Sequence, residues 1–283
     1  MKSFYSTFAS ILLTLSACSG GEVQNPTPDQ PEVKPDTTQD QELQLTADEL
    51  KADAEYITLV PSPVETQKAL ESAGIDKNLA ELIVPREYDM NEKDVDDVAV
   101  RTGVVVANML LTVKTASDPQ MLDHLEQIRH GLNLLGGGSD IDATINEIKE
   151  RVKGEAVTRD ELLKELDELS GALIPELEFN GAKRIVPLIQ AGSWLQGSNL
   201  VAKAIKDVNK PETATDLLKK PEVVDYFIKY VKTEGKDKAP AAVTDKLEAS
   251  LQILKGLAQK TDSFTVEDID QVIAVTNDVL TLL

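Results

Sequence analysis

Between Val104 and Val113 the chain reads Val-Val-Val-Ala-Asn-Met-Leu-Leu-Thr-Val, with almost no polar side. Wound as a helix, this run is apolar on nearly every face, so it has to lie in the middle of a bundle. It is too short to cross a bilayer, which takes about 20 residues. A second stretch, 182–207, has the same character, with Ile185, Val186, Leu188, Ile189, Leu195 and Leu200. These two segments are the expected core of the fold.

Helix-start signals recur along the chain. Thr46 with Glu49, Ser62 with Glu65, Ser117 with Gln120 and Thr158 with Glu161 fit the capping box, in which two side chains satisfy orphan backbone donors reciprocally. Ser139 with Asp142, Asn209 with Glu212 and Thr265 with Asp268 are weaker versions. Pro63 falls at a first helical position, where its missing N–H costs nothing. The spacing predicts helices near 47–58, 63–73, 77–84, 91–115, 118–135, 140–152, 159–173, 182–207, 212–219, 222–233, 240–259 and 266–282. No stretch alternates β-branched residues with period two, so the expected fold class is all-α, a multi-helix bundle. Gly103, Leu111 and Lys114 share their spacing with Gly192, Leu200 and Lys203, which admits two related helical halves joined through 139–173.

The N-terminus has a different logic. Lys2 is followed by an apolar stretch from Phe8 to Leu15, then the small residues Ser16 and Ala17, then Cys18, the only cysteine in 283 residues. This is the three-part layout of a secretory signal. Leu15-Ser16-Ala17-Cys18 resembles the lipobox of bacterial lipoproteins. The resemblance implies cleavage after Ala17, with a diacylglyceryl group on the Cys18 thiol and an acyl chain on the new amine. This covalent lipid is the only prosthetic group expected. Ser19, rather than an aspartate, implies outer-membrane sorting by the same resemblance, on the periplasmic face or the cell surface.

The expected organisation is a signal peptide over 1–17, a tether over 18–45 and an all-helical domain over 46–283. The tether carries Pro26, Pro28, Pro31 and Pro35 among acids, with too few apolar residues to order it. As a coil it would reach roughly 30 Å. The formal net charge of the chain is -20. Nucleic-acid binding needs a basic face, and anionic head groups would be repelled, so membrane attachment falls to the lipid.

Most motif chemistry fails on inspection. Glu87, Asp89, Asn91, Glu92, Asp94, Asp96 and Asp97 suggest calcium, but Lys93 takes the third ligand position after Asp89 and Asn91, and no glycine follows. His124 and His130 are six apart on one helix and so face different ways; Glu126 and His130 alone make no metal site. Gly136-Gly137-Gly138 lacks the Lys-Ser/Thr of a phosphate loop and is expected to end helix 118–135. No nucleophile elbow is present, so neither a catalytic residue nor a metal ligand is assigned. Gly192-Ser193-Trp194-Leu195-Gln196-Gly197 places the single tryptophan between glycines in a helix, where each glycine costs about 1 kcal/mol relative to alanine. Close packing of another backbone offsets that cost; the alternative is an apolar pocket at Trp194, Gly192 and Gly197. With Arg101-Thr102-Gly103 this segment resembles a pattern in uncharacterised exported helical bacterial proteins over 100–205, which implies no activity. The expected function is a lipid-anchored envelope protein with a non-catalytic binding or structural domain. The alternative is a periplasmic carrier of a small apolar ligand beside Trp194.

Overall fold

Every residue from Val98 to Leu110 is buried, as the apolar run requires. A computed structural model of the chain describes residues 60–91, 93–179, 185–234 and 242–283, with the side chains of 171–179 and 232–234 outside the description. Among these residues there is no strand, and no helix is long and apolar enough to cross a membrane. The fold is all-α. The expected helix 47–58, the signal peptide, the tether and Cys18 lie outside the described residues.

In chain order the helices are α1 (Pro63–Ser72), α2 (Val95–Thr112), α3 (Asp118–Leu134), α4 (Ser139–Lys153) and α5 (Arg159–Phe179). They continue as α6 (Ile185–Val208), α7 (Thr213–Leu218), α8 (Pro221–Glu234), α9 (Ala242–Ala258) and α10 (Val266–Leu280). Ser62 and Glu65 make their capping box, with Glu65 N–H donating to Ser62 Oγ at 3.2 Å and Ser62 N–H to Glu65 Oε2 at 2.8 Å. Thr158 with Glu161 and Thr265 with Asp268 do the same. Gly136, at φ +86°, ends α3, and Gly137 N–H reaches back to the Leu132 carbonyl at 2.8 Å.

Three local expectations are corrected. Residues 77–84 form no α-helix, only a 3-10 turn at Leu79–Leu82. Asn78 caps that turn, the Gln67 side chain grips Lys77 O and Leu79 N–H, and Pro85 drives the residue before it toward extended backbone. Asn209 does not open a helix. At φ +53° it closes α6, its N–H bonding Lys206 O while Lys210 N–H bonds Ile205 O. Ser139 is the first residue of α4, not its cap, and Asp142 instead accepts from Arg129 and Asn133 on α3.

Two apolar clusters flank α2. Its first turns, through Val98 and Val100, join α1, α6, α8, α9 and α10 in a core that includes Leu195, Phe227, Leu251 and Val279. Its later turns, through Val105, Met109 and Val113, join α3, α4 and α5 in a second core around Leu125, Ile145 and Leu166. Ion pairs tie the second group together at its surface. Arg129 bonds Glu126 and Asp142, Lys149 meets Glu126, and Arg151 grips Glu165 through two bonds of 2.7 and 3.0 Å.

The two central helices meet backbone to backbone. A methyl group on Gly103 would fall 1.9 Å from the Ile189 carbonyl oxygen, and one on Gly192 would fall 2.1 Å from the Val100 carbonyl oxygen. The contact is reciprocal, each glycine receiving the carbonyl three residues before the other. Beyond this crossing the surroundings differ, since α2 runs chiefly along α3 and α6 along α10. Gly197 is unlike these two, with nothing closer than the Thr66 methyl at 3.9 Å. Replacing Gly103 or Gly192 by alanine is therefore expected to destabilise the fold by roughly 1–3 kcal/mol through forced backbone separation. Gly197→Ala should be neutral, or stabilising by up to about 1 kcal/mol. Urea midpoints of the three variants check this order.

Candidate functional site

The residues singled out around the tryptophan do not form one site. Positions 192 and 194 are about 200° apart on a helix. Gly192 faces α2, whereas Trp194, 7% exposed, packs on Phe227 of α8 with ring centroids 5.5 Å apart. Phe227, Tyr226 and Tyr230 extend this contact into a row of rings. Trp194 lines neither of the two larger clefts described below.

Those clefts open on either side of α2. The first, of about 340 Å³, lies between residues 83–88 and the α2–α3 pair. Its apolar side is Ile83, Val84, Pro85, Val105 and Ala116. Its polar side is Tyr88, Asn108, Gln120, His124 and Gln127, with Arg86 and Asp123 among the lining residues. Pro85 and the end of the 3-10 turn keep this segment extended, and side-chain bonds hold it down. Arg86 Nη1 donates to the Leu280 carbonyl at the end of α10, and Arg101 Nη1 donates to the Asp89 carbonyl at 2.5 Å.

Below the cleft is a buried polar chain. Gln196 Nε2 of α6 donates to Asn108 Oδ1 at 2.7 Å, and Asn108 Nδ2 approaches the Tyr88 hydroxyl at 3.4 Å. Asn108 and Gln196 are 5% and 7% exposed, so this bond joins two amides that are largely withdrawn from solvent at the edge of the cleft. The Tyr88 hydroxyl carries this chain to the cleft wall. Burial raises the Tyr88 phenol above its ordinary value, against smaller opposing effects of Asn108 and Arg86, which keeps it a neutral donor.

His124 stands across the cleft. Its Nδ1 is buried without a hydrogen-bond partner. An unpaired acceptor costs less than an orphaned N–H, which assigns the proton of the neutral ring to Nε2. Burial pushes the imidazole below its ordinary value, against a smaller upward pull from Asp123. His130 is elsewhere, with Nε2 3.1 Å from Asn91 Oδ1. Glu126 is taken up by Arg129 and Lys149, which hold its carboxyl down to about 2.

A smaller space adjoins the first cleft and shares Val84, Arg86 and Tyr88 with it. Gln196, Asn199 and Lys203 of α6 and Leu280 of α10 complete its wall. Its free volume is about 10 Å³, room for roughly one water molecule. The second large cleft, of about 350 Å³, lies between α1 and the end of α2. Two of its three lysines are paired, Lys77 with Asp207 at 3.7 Å and Lys114 with Asp160 at 2.7 Å.

The acids before α2 serve the backbone. Asp89 Oδ1 accepts from Asn91 N–H, and Asp94 Oδ1 caps Asp96 N–H, both at 2.9 Å. Among the described residues no three His, Cys, Asp or Glu groups gather as a metal site.

Neither Asn108 nor Gln196 was singled out from the sequence; Asn108 is the one amide within Val104–Val113, whereas Gln196 shares its segment with Gln190 and Asn199. Arg86, Tyr88 and Lys203 carried no signal, because nothing local brings them together. Comparison with protein-family models, with curated proteins and with solved structures found no match to this chain. The geometry itself defines an all-α bundle with a small mixed-polarity cleft pinned under one extended segment.

The lowered His124 value has a testable sign. The unfolded ring takes up its proton near its ordinary 6.5, and the folded ring only at lower pH. This contribution to stability is present above 6.5 and is lost as pH falls toward the folded value. Denaturation between pH 7 and 5 is expected to show that slope, and His124→Gln to remove it.

Proposed function

We propose that this is a lipid-anchored cell-envelope protein whose helical domain is a non-catalytic binding module, working through the cleft beneath residues 83–88. The anchor rests on the lipobox resemblance at Leu15-Ser16-Ala17-Cys18 and on the charge of -20, which disfavours electrostatic attachment to anionic lipid. The binding reading is carried by one observation: a cleft of about 340 Å³ with apolar and hydrogen-bonding walls, in the size range of small-molecule sites. Residues 18–45 would act as the tether that stands the domain off an outer membrane. Trp194, spent on Phe227, does not favour the alternative apolar pocket.

Mass spectrometry of the mature N-terminus checks the anchor. The expected product begins at Cys18 and carries diacylglyceryl and acyl groups, and an unmodified Cys18 or a retained 1–17 segment overturns it. Native mass spectrometry checks the cleft. Protein from its own membrane is expected to retain a small molecule that Ala116→Trp, which fills the cleft, expels. Retention unchanged by Ala116→Trp, or none at all in the unaltered protein, overturns the binding reading.

A further inference from the structure

Arg86 and Lys203 stand side by side in the wall of the small space that continues the main cleft. In a chain with 49 acidic and 29 basic side chains, two adjacent cations without a carboxylate are unexpected. Among the described residues Lys203 has no hydrogen bond or ion pair, and Arg86 has only the Leu280 carbonyl. Asp207, the acid one turn after Lys203 on α6, is engaged by Lys77. We infer that the Arg86–Lys203 pair is the head-group site for a small amphipathic carboxylate, whose apolar part lies in the main cleft against Val84, Val105 and Ala116.

This deepens the binding reading and rests on it. The donors fit the group. Arg86 offers a fork that matches a carboxylate, Lys203 an ammonium, and the Tyr88 hydroxyl has its own proton to give. The free volume of about 10 Å³ beside them has room for roughly one water-sized group, and the space continues into the main cleft through Val84, Arg86 and Tyr88. Lys203 lies partly buried, and both burial and the Arg86 charge push its amine below the ordinary lysine value. An anion placed between the two cations would relieve that mutual repulsion. Asp123, the carboxylate that lines the main cleft, is not among the residues of the small space.

The test uses the full chain carrying Cys18→Ser, so that no anchor lipid competes, with hexanoate, hexanol, hexylamine and inorganic phosphate as calorimetric probes. Hexanoate is expected to bind at least about tenfold tighter than hexanol or hexylamine, and phosphate not to displace it. Lys203→Met should lower hexanoate affinity about tenfold and leave hexanol unchanged, while Lys203→Arg should retain hexanoate binding. Ala116→Trp should abolish binding of both. Equal affinity for hexanoate and hexanol, both abolished by Ala116→Trp, overturns the head-group site and leaves the cleft standing. Hexanoate binding indifferent to Lys203→Met, displacement by phosphate, or no hexanoate binding likewise overturns it. Binding indifferent to Ala116→Trp overturns the cleft as well.

Discussion

The reciprocal contact of Gly103 and Gly192 is the constraint on which the arrangement of the helices depends. Each glycine receives the carbonyl of a residue three positions before the other, so the two backbones touch with no side chain between them. That closeness sets everything within a turn or two along α2 and α6. It explains why both helices are buried almost throughout and why each tolerates glycine at about 1 kcal/mol relative to alanine. The two cores fill from either side of this crossing, the first with Trp194, Tyr226 and Phe227 among its aliphatic residues and the second with buried residues that are all aliphatic or methionine.

The same approach creates the polar floor of the cleft. Asn108 lies beyond Gly103 on α2 and Gln196 beyond Gly192 on α6, and at this separation their amides meet at 2.7 Å. A buried amide without a partner would cost roughly 1–3 kcal/mol, so the pair is tolerated because the crossing brings both members together. Tyr88 then extends the chain to the surface, and the segment that carries it is pinned through Arg86 to α10 and through Asp89 to α2. The cleft is thus a consequence of helix packing on one side and of a held-down loop on the other. Besides the orphaned His124 Nδ1, its uncompensated feature is charge, since Arg86 and Lys203 come from distant parts of the chain and form no ion pair among the described residues. That is where a binding reading acquires chemical direction.

Local rules were readable where the signal was itself local. The capping pairs at Ser62, Thr158 and Thr265, the proline at the start of α1 and the glycine turn after α3 all act within a few residues, and they formed as spelled. Asn209 and Ser139 show the limit of such rules. Asn209 is as suited to ending a helix in a left-handed conformation as to starting one, and α6 claimed it. Asp142 was taken by Arg129 from another helix, which no spacing within its own segment could reveal.

The sequence by itself determined that the chain is helical and that Val104–Val113 lies at its centre, and it pointed to a close neighbour at the glycines of the second apolar helix, which Gly192 has and Gly197 does not. Periodicity and steric cost are properties of a segment, so they survive without knowledge of the fold. The tertiary structure alone decided which backbone fills the space beside Gly192, that Trp194 is spent on Phe227, and that residues 83–88 cover a cleft instead of extending a helix. It alone placed Arg86 beside Lys203. The physical reason is sequence separation: a charge pair more than a hundred residues apart leaves no mark on either local pattern.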